Sequence, residues 1–404
     1  MTTERNIRKI ALNLDLSAVV AGFESAQRAT PAHHIVARHY SSPLLLGPPT
    51  SELLLELVMH MFTEEEAELV QYLKPLRPRT AVQVARQAGR PVVEVQRILD
   101  HLALRKMVIL GFKQPRKYTL LPILPGTFEM ALMTPDLSTR NAWHQKFAAL
   151  FERLWETEYF ADYPGNQKIA PVRYVPVGGV VKNLNAAWPS ERLEQVLEPF
   201  ADFAVGHCQC RLAMHLVDKG CSHSTENCVC IGPAAKAVID RGLMRKISRE
   251  EVIEIKRNAE QEGLVSFIIN NLDPKQGSGS CSCCGCCCHG LRAVKQFSAP
   301  GLISQPHFVP MRRVENCKMC KKCIAICPME AWTAVDKDLR FNRVRCIGCG
   351  LCVISCKHEA LKLEEIAAVR PAITSQLQFA LSFLPTYLST SVRVWAKRLW
   401  TAKG

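Results

Sequence analysis

No cysteine occurs in the first half of this 404-residue chain; all 19 follow Val205 and fall into clusters. That distribution argues against a disulfide framework, which belongs to short secreted chains. No apolar run with a small-residue cleavage site follows Met1, so the thiols are expected to stay reduced in the cytoplasm. No glycine-rich dinucleotide fingerprint follows a strand-like segment, which argues against a nicotinamide-binding fold. Residues 371–392 hold no charge, and these 22 residues are long enough in principle to span a bilayer. Pro385 and many Ser, Thr and Gln argue against a stable span.

Nearly half of the residues, 48%, are apolar, so real cores are expected. The length exceeds what one core serves, and roughly two to four units are expected. The formal charge is +14. A basic surface suits an acidic redox partner, nucleic acid or an anionic membrane face. The expected class is α+β and multidomain. Composition shifts divide the chain into an arm (1–50), a helical unit with a basic hairpin (51–125), a helical and β-hairpin connector (126–199), a helical Cys-rich region (200–298), a second Cys-rich unit (299–366) and an amphipathic tail (367–404).

Residues 1–50 are poorly patterned, and His33 and His34 read as ordinary surface. Ser51 to Met61 reads as a helix with Leu53, Leu54, Leu57 and Val58 on one side. Thr63 with Glu66, and Thr80 with Gln83, are capping boxes opening two further helices. Pro91 opens a third through Arg105, with Val92, Val95, Ile98, Leu99 and Leu102 inward. Met107–Leu110 and Tyr118–Leu121 read as strands around a basic loop with Lys113, Arg116 and Lys117. This pattern resembles a winged helix-turn-helix. The resemblance implies DNA binding through residues 92–105, whose outer face would be Glu94, Gln96, Arg97, Asp100, His101 and Arg105. Two acids facing phosphates make a poor DNA surface, so protein docking or dimerisation is the favoured use.

Downstream, Trp143, Phe147, Leu150, Phe151, Leu154 and Trp155 recur at helical spacing within 126–165, a core stripe. Val172–Val181, broken at Gly178-Gly179, reads as a hairpin that Pro176 puts at an edge. A helix from Pro189-Ser190 carries Leu193, Val196 and Leu197 toward the first cysteines.

Cys317, Cys320, Cys323 and Cys327 follow C-x2-C-x2-C-x3-C spacing, with Pro328 after them. Cys346, Cys349, Cys352 and Cys356 repeat it after an 18-residue gap. This is the bacterial spacing for 4Fe–4S clusters: a tight loop offers three thiolates, and the fourth comes from elsewhere. The stretch resembles the two-cluster bacterial ferredoxins, a βαββαβ fold. The crossed-ligand rule of those proteins gives one cluster Cys317, Cys320, Cys323 and Cys356, and the other Cys346, Cys349, Cys352 and Cys327. Lys357 departs from the pattern, where a second Pro is usual. Two zinc knuckles are the alternative.

A second cysteine region lies upstream. Cys208 with Cys210 and Cys228 with Cys230 are C-x-C pairs, with Cys221 and His223 between them. On extended backbone each pair presents two thiolates to one side. Helices are expected from Pro233 to about Lys246 and from the capping box at Ser248 to Gly263. Residues 281–289 then bring Cys281, Cys283, Cys284, Cys286, Cys287, Cys288 and His289. The candidate ligands of a third centre are Cys208, Cys210, Cys221, Cys228, Cys230, Cys283, Cys284, Cys286 and Cys287. A third iron–sulfur cluster is the first reading, and structural zinc the second. The region resembles uncharacterised Cys-rich ferredoxin-type proteins of anaerobic bacteria, and that resemblance implies electron transfer.

The expected function is therefore an iron–sulfur electron-transfer protein or subunit serving a partner oxidoreductase. A redox-sensing transcription regulator is the alternative, and an oxidoreductase with its own substrate site is a third. The lysines and arginines around the dicluster stretch specify a partner with an acidic face. The tail, with Arg393, Trp395, Lys397, Arg398, Trp400 and Lys403, is expected to dock on a protein surface, peripheral membrane contact being the alternative.

Overall fold

The computed structural model describes residues 28–112, 115–163, 170, 172–181, 192–269, 275, 277–297, 299, 302–366 and 375–401, which divide into two units. Helix and sheet are mixed throughout, an α+β composition. Among the described residues no helix is long and apolar enough to cross a membrane.

The first unit gathers 28–163, 212–220 and 388–401. It opens with α1 (Pro31–Tyr40), which the sequence did not signal. His33 is buried in it, contrary to the surface expectation. Its Nδ1 meets the Thr30 amide at 3.2 Å and its Nε2 the Phe62 carbonyl at 2.9 Å, so the ring ties the cap to the next turn. Helices α2 (Glu52–Met61) and α3 (Glu64–Val70) follow, then β1 (Arg79–Thr80), α4 (Ala81–Ala88) and α5 (Val92–Leu104). The capping boxes at Thr63 and Thr80 form with reciprocal side-chain bonds, whereas at Ser248 the hydroxyl accepts from the Glu251 amide without the return bond of a box. Strands β2 (Leu110–Phe112) and β3 (Lys117–Thr119) complete a sheet in the order β1-β3-β2. The first strand starts later than expected because Met107 turns through a left-handed conformation (φ 55). Val92 is exposed instead of inward: it is the first helical residue after Pro91, and the buried face begins at Val95. Lys113 lies outside the described residues.

Acids pair with three of the cations around α5. Arg90 binds Glu65 at 2.6 Å and also Glu94. Arg116 pairs with Asp100, which also accepts from the Tyr118 hydroxyl at 2.8 Å. Lys106 bonds Glu66 at 2.8 Å.

The expected helix over 126–165 is two, α6 (Phe128–Leu132) and α7 (Ala142–Trp155), separated by an Asp136 turn and recapped by Asn141. Its aromatic stripe is core, with Phe128 stacked on Phe151 at 4.1 Å and Trp155 fully buried. The C-terminal helix (Gln376–Thr401) docks its last turns on this unit. Arg398 donates to the carbonyls of Ser41, at 2.8 Å, and Gly47, and Lys397 meets Asp162 at 2.7 Å. The expected docking thus falls on the protein's own body.

The second unit is built on a six-stranded antiparallel sheet, ordered β4-β8-β9-β6-β5-β7. Its strands are β4 (Val172–Tyr174), β5 (Phe203–His207), β6 (Glu226–Ile231), β7 (Arg245–Ile247), β8 (Val265–Ile269) and β9 (Ser278–Cys283). The helical expectation for the Cys-rich region is therefore corrected. The alternation Ser-Gly-Ser-Cys-Ser-Cys has the period of a strand, but its small residues carry little strand preference of their own. Only one strand of the expected hairpin at 172–181 forms; it lies at the sheet edge, and α8 (Gly178–Val181) takes the place of its partner. Helix α9 (Leu193–Leu197) follows, its expected start at Pro189-Ser190 lying outside the described residues. The first turn of α10 (Gln209–Leu216), whose residues from 212 on belong to the first unit, completes this part with helices α11 (Pro233–Asp240), α12 (Arg249–Gln261) and α13 (His289–Phe297). Helix α11 ends well before Lys246, ahead of a turn at Gly242 (φ 65), and β7 follows.

One face of the sheet packs Phe203, Val205, Val229, Ile231 and Ile247 against Val252 of α12 and Leu197 of α9. Pairing Val229 with Ser280 puts Ser280 and Ser282 on this same face. Alternation turns Cys228, Cys230, Cys281 and Cys283 to the other.

The chain then runs β10 (Phe308–Arg312), α14 (Lys322–Ile326), β11 (Trp332–Val335), β12 (Asp338–Phe341), α15 (Leu351–Ile354) and β13 (Leu361–Glu365), the β-α-β-β-α-β order. β10 pairs antiparallel with β13, and β11 with β12.

Two outcomes follow for the first unit. Trp155→Ala should cost about 3–5 kcal/mol, read as a lower denaturant midpoint; a loss below ~1 kcal/mol would show that the aromatic stripe is not core. Burial pulls His60 and His144 from 6.5 down to about 4. Because the unfolded chain takes up these protons first, stability should be full above 6.5 and fall as pH drops toward 4. His60→Gln should flatten that slope in denaturant titrations across the range, and an unchanged slope would remove His60 as its source.

Candidate metal centres

The two cysteine runs close on two separate cavities. The first is lined by Cys317, Cys320, Cys323 and Cys356, with Arg312, Lys318, Lys321, Lys322, His358 and Leu361 around them. The second is lined by Cys346, Cys349, Cys352 and Cys327, with Trp332, Phe341, Ile347 and Leu351. Each cavity thus draws three cysteines from one run and the last cysteine of the other, because α14 and α15 each carry a fourth cysteine across to the opposite loop. The spacing repeats, and so does the geometry.

The two environments differ. Cys320 and the three lysines are exposed at the first cavity. In the second, burial pushes the thiols of Cys346 and Cys352 up to about 11 and about 12, and Cys349 further. Thiols in so apolar a setting stay protonated until a cation takes the proton's place. The donor chemistry fits an iron–sulfur group at both cavities: four soft thiolates, an apolar wall and no competing carboxylate ligand.

The upstream cysteines do not form one site. Cys221, Cys284, Cys286 and Cys287 bring their sulfurs within 4.8 Å of one another. Cys221 lies 3.8 Å from Cys284, and Cys286 3.8 Å from Cys287. A single ion bound tetrahedrally at a Zn–S length of ~2.3 Å places its sulfurs about 3.8 Å apart. This set therefore has the dimensions of one tetrathiolate ion, and it is tighter than thiolates capping four different irons. His223 Nδ1 stands 3.3 Å from Cys221 Sγ, an outer contact of the kind that orients a ligand. Hydrogen bonds from the neighbouring Cys284 and Cys286 thiols pull Cys221 far below its usual thiol range.

Five cysteines expected at this centre lie elsewhere. Cys228 and Cys230 sit on β6 and Cys283 on β9. Cys208 follows β5, and Cys210 is in the first turn of α10, so this C-x-C pair is not extended as expected. Sequence reasoning left Cys281 and Cys288 out of the candidate set. The period-two alternation of Cys281 with Cys283 was the available signal for the first, and nothing local marked the second.

Buried cations stand beside these thiols. Arg211 is fully buried and donates to the Ser282 carbonyl at 2.9 Å and to Asn227. Burial opposes its charge, yet the thiolates at Cys208 and Cys284 hold the guanidinium above its ordinary range. Gly285 backs directly onto the carbonyl of Pro328, the residue after Cys327. A Cβ there would stand 1.9 Å from that oxygen, so only glycine lets the upstream loop pack on the second cavity's cysteine run.

No curated protein and no solved structure matches this chain. Residues 316–361 match the family model described as a 4Fe-4S dicluster domain. Those residues span both cysteine runs, and the protein carries a ferredoxin-type 4Fe–4S domain.

Proposed function

We propose that this protein is an iron–sulfur electron-transfer protein or subunit, relaying electrons to or from a partner oxidoreductase through two 4Fe–4S clusters. The observation that carries this reading is the crossed lining of the two cavities. Cys317, Cys320, Cys323 and Cys356 would hold one cluster, and Cys346, Cys349, Cys352 and Cys327 the other. When bound, such clusters accept and release single electrons. The tight set at Cys221, Cys284, Cys286 and Cys287 is a third centre, holding a single ion such as zinc. That all 19 cysteines are free thiols suits a reducing, cytoplasmic setting.

The chain's own residues set direction. Cys320 is exposed, and Lys318, Lys321 and Lys322 line its cavity, so this is the side that meets a partner. Cations there favour the more negative, reduced cluster and fit an acidic partner face. Two clusters with their thiolates, each at −2, would bring the charge from +14 to about +10, still basic.

The first unit supports a winged-helix reading, with a docking role in place of DNA binding. Arg90, Arg116 and Lys106 are neutralised by Glu65, Glu94, Asp100 and Glu66, while Val93 and Val82 stand exposed on the same surface. Phosphate binding depends on unpaired cations, and an apolar surface suits protein.

Anaerobically purified or reconstituted protein should contain about eight irons with matching labile sulfide. Its reduced form should give an electron paramagnetic resonance spectrum of two coupled clusters, and zinc without sulfide would sink the reading. Replacing Lys318, Lys321 and Lys322 with Gln should slow electron exchange with an acidic donor by about tenfold at low ionic strength, the deficit closing at high salt. An equal rate at both salt concentrations would exclude this face.

A further inference from the structure

Setting aside the tight set, seven upstream cysteines remain: Cys208, Cys210, Cys228, Cys230, Cys281, Cys283 and Cys288. They converge on the thiol face of the six-stranded sheet. Cys228 and Cys281 face each other across β6 and β9 at 3.8 Å. Cys283 is two residues along the same strand, and its thiol contacts that of Cys288, just ahead of α13. Cys288 contacts Cys210, and Cys210 contacts Cys208. Six thiols, from residues 208–210, β6, β9 and just ahead of α13, thus form one row, each buried or half-buried.

Two features mark this row as a ligand set and not as packing. The first is its hydrogen-bonding groups. Tyr174 Oη lies 3.6 Å from Cys288 Sγ, and His289 Nδ1 lies 3.3 Å from Cys210 Sγ, both from buried side chains. Such partners orient and tune metal thiolates. The second is charge. Arg211 is 0% and Lys256 1% exposed; Ser282, Asn227 and Ser280 accept from them, and beside these the Arg211 guanidinium meets only thiols, Cys284 by hydrogen bond and Cys208 by charge. Arg211 Nε has no hydrogen-bond partner among the described residues. Two cations cannot be buried this way without nearby negative charge. Neutral thiols do not supply it. A metal with four thiolates does, at −2.

We propose that Cys208, Cys210, Cys283 and Cys288 bind a second upstream centre, distinct from the tight set, and that this centre is an iron–sulfur cluster. Among the described residues the tight set is the sole group within 4.8 Å of one another. These four thiols of the row do not all lie within that span, so they are not the ligand set of one tetrahedral ion. The upstream region then holds two centres, a single ion in the loop and a cluster on the sheet. The inference deepens the reading of this region as metal-binding and does not depend on the two downstream clusters.

The test compares two full-length double variants with the wild type, all purified anaerobically and assayed for iron, zinc and sulfide. Cys210→Ser with Cys288→Ser should lose about four irons and their sulfide and keep the loop's ion. Cys286→Ser with Cys287→Ser should lose that single ion and keep the cluster. Unchanged metal content in the first variant, or loss of the same metal in both, overturns the proposal. Failure of the downstream reading would appear separately, as no iron lost on Cys320→Ser with Cys349→Ser. Should the first variant not fold, Tyr174→Phe still decides: it should shift the spectrum of one centre at unchanged metal content. A spectrum identical to the wild type's would exclude Cys288 as a ligand.

Discussion

Buried sulfur and buried positive charge depend on each other in the second unit. Arg211 and Lys256 lie where no carboxylate hydrogen-bonds them, in positions that would be strongly unfavourable in an apolar interior. Burial pulls the Lys256 ammonium down to about 8, while the thiolates at Cys208 and Cys284 hold the Arg211 guanidinium above its ordinary range. The sheet is the device that brings the two together. Its apolar face rests on α12, which delivers Lys256, while its thiol face takes Cys210 from α10 and Cys288 from the start of α13.

The downstream unit handles the same demand differently. Its cysteines come from two loops closed by short helices, and the fourth cysteine lining each cavity stands just past the helix of the other run. The two cavities are chemically unequal despite identical spacing. One opens among lysines; the other is walled by Trp332, Phe341 and Leu351. One cavity is thus a surface end and the other a buried end, and the buried end is the one against which Gly285 packs.

The first unit uses charge for structure. Capping boxes at Thr63 and Thr80 fix two helix starts, and the acids near α5 bind its cations in turn. An aromatic stripe supplies its core, and the last turns of the C-terminal helix add Arg398 to the carbonyls of Ser41 and Gly47. Arg97 on α5 and Arg105 at its C-cap remain exposed.

By itself the sequence determined whatever depends on near neighbours. The C-x2-C-x2-C-x3-C runs, the capping boxes and the period of the aromatic stripe all act within one or two turns, so they were legible without coordinates. Tertiary structure decided what depends on distant partners. The division of the upstream cysteines between a tight loop set and a sheet face was invisible, because Cys221 meets Cys284, and Cys210 meets Cys288, across more than sixty intervening residues. The sheet itself was hidden as well. Its Ser and Cys positions carry no strong strand preference, and only pairing with β6 and β8 makes β9 a strand. His33 was misread for the same reason, since its burial depends on the Phe62 carbonyl of a later helix end.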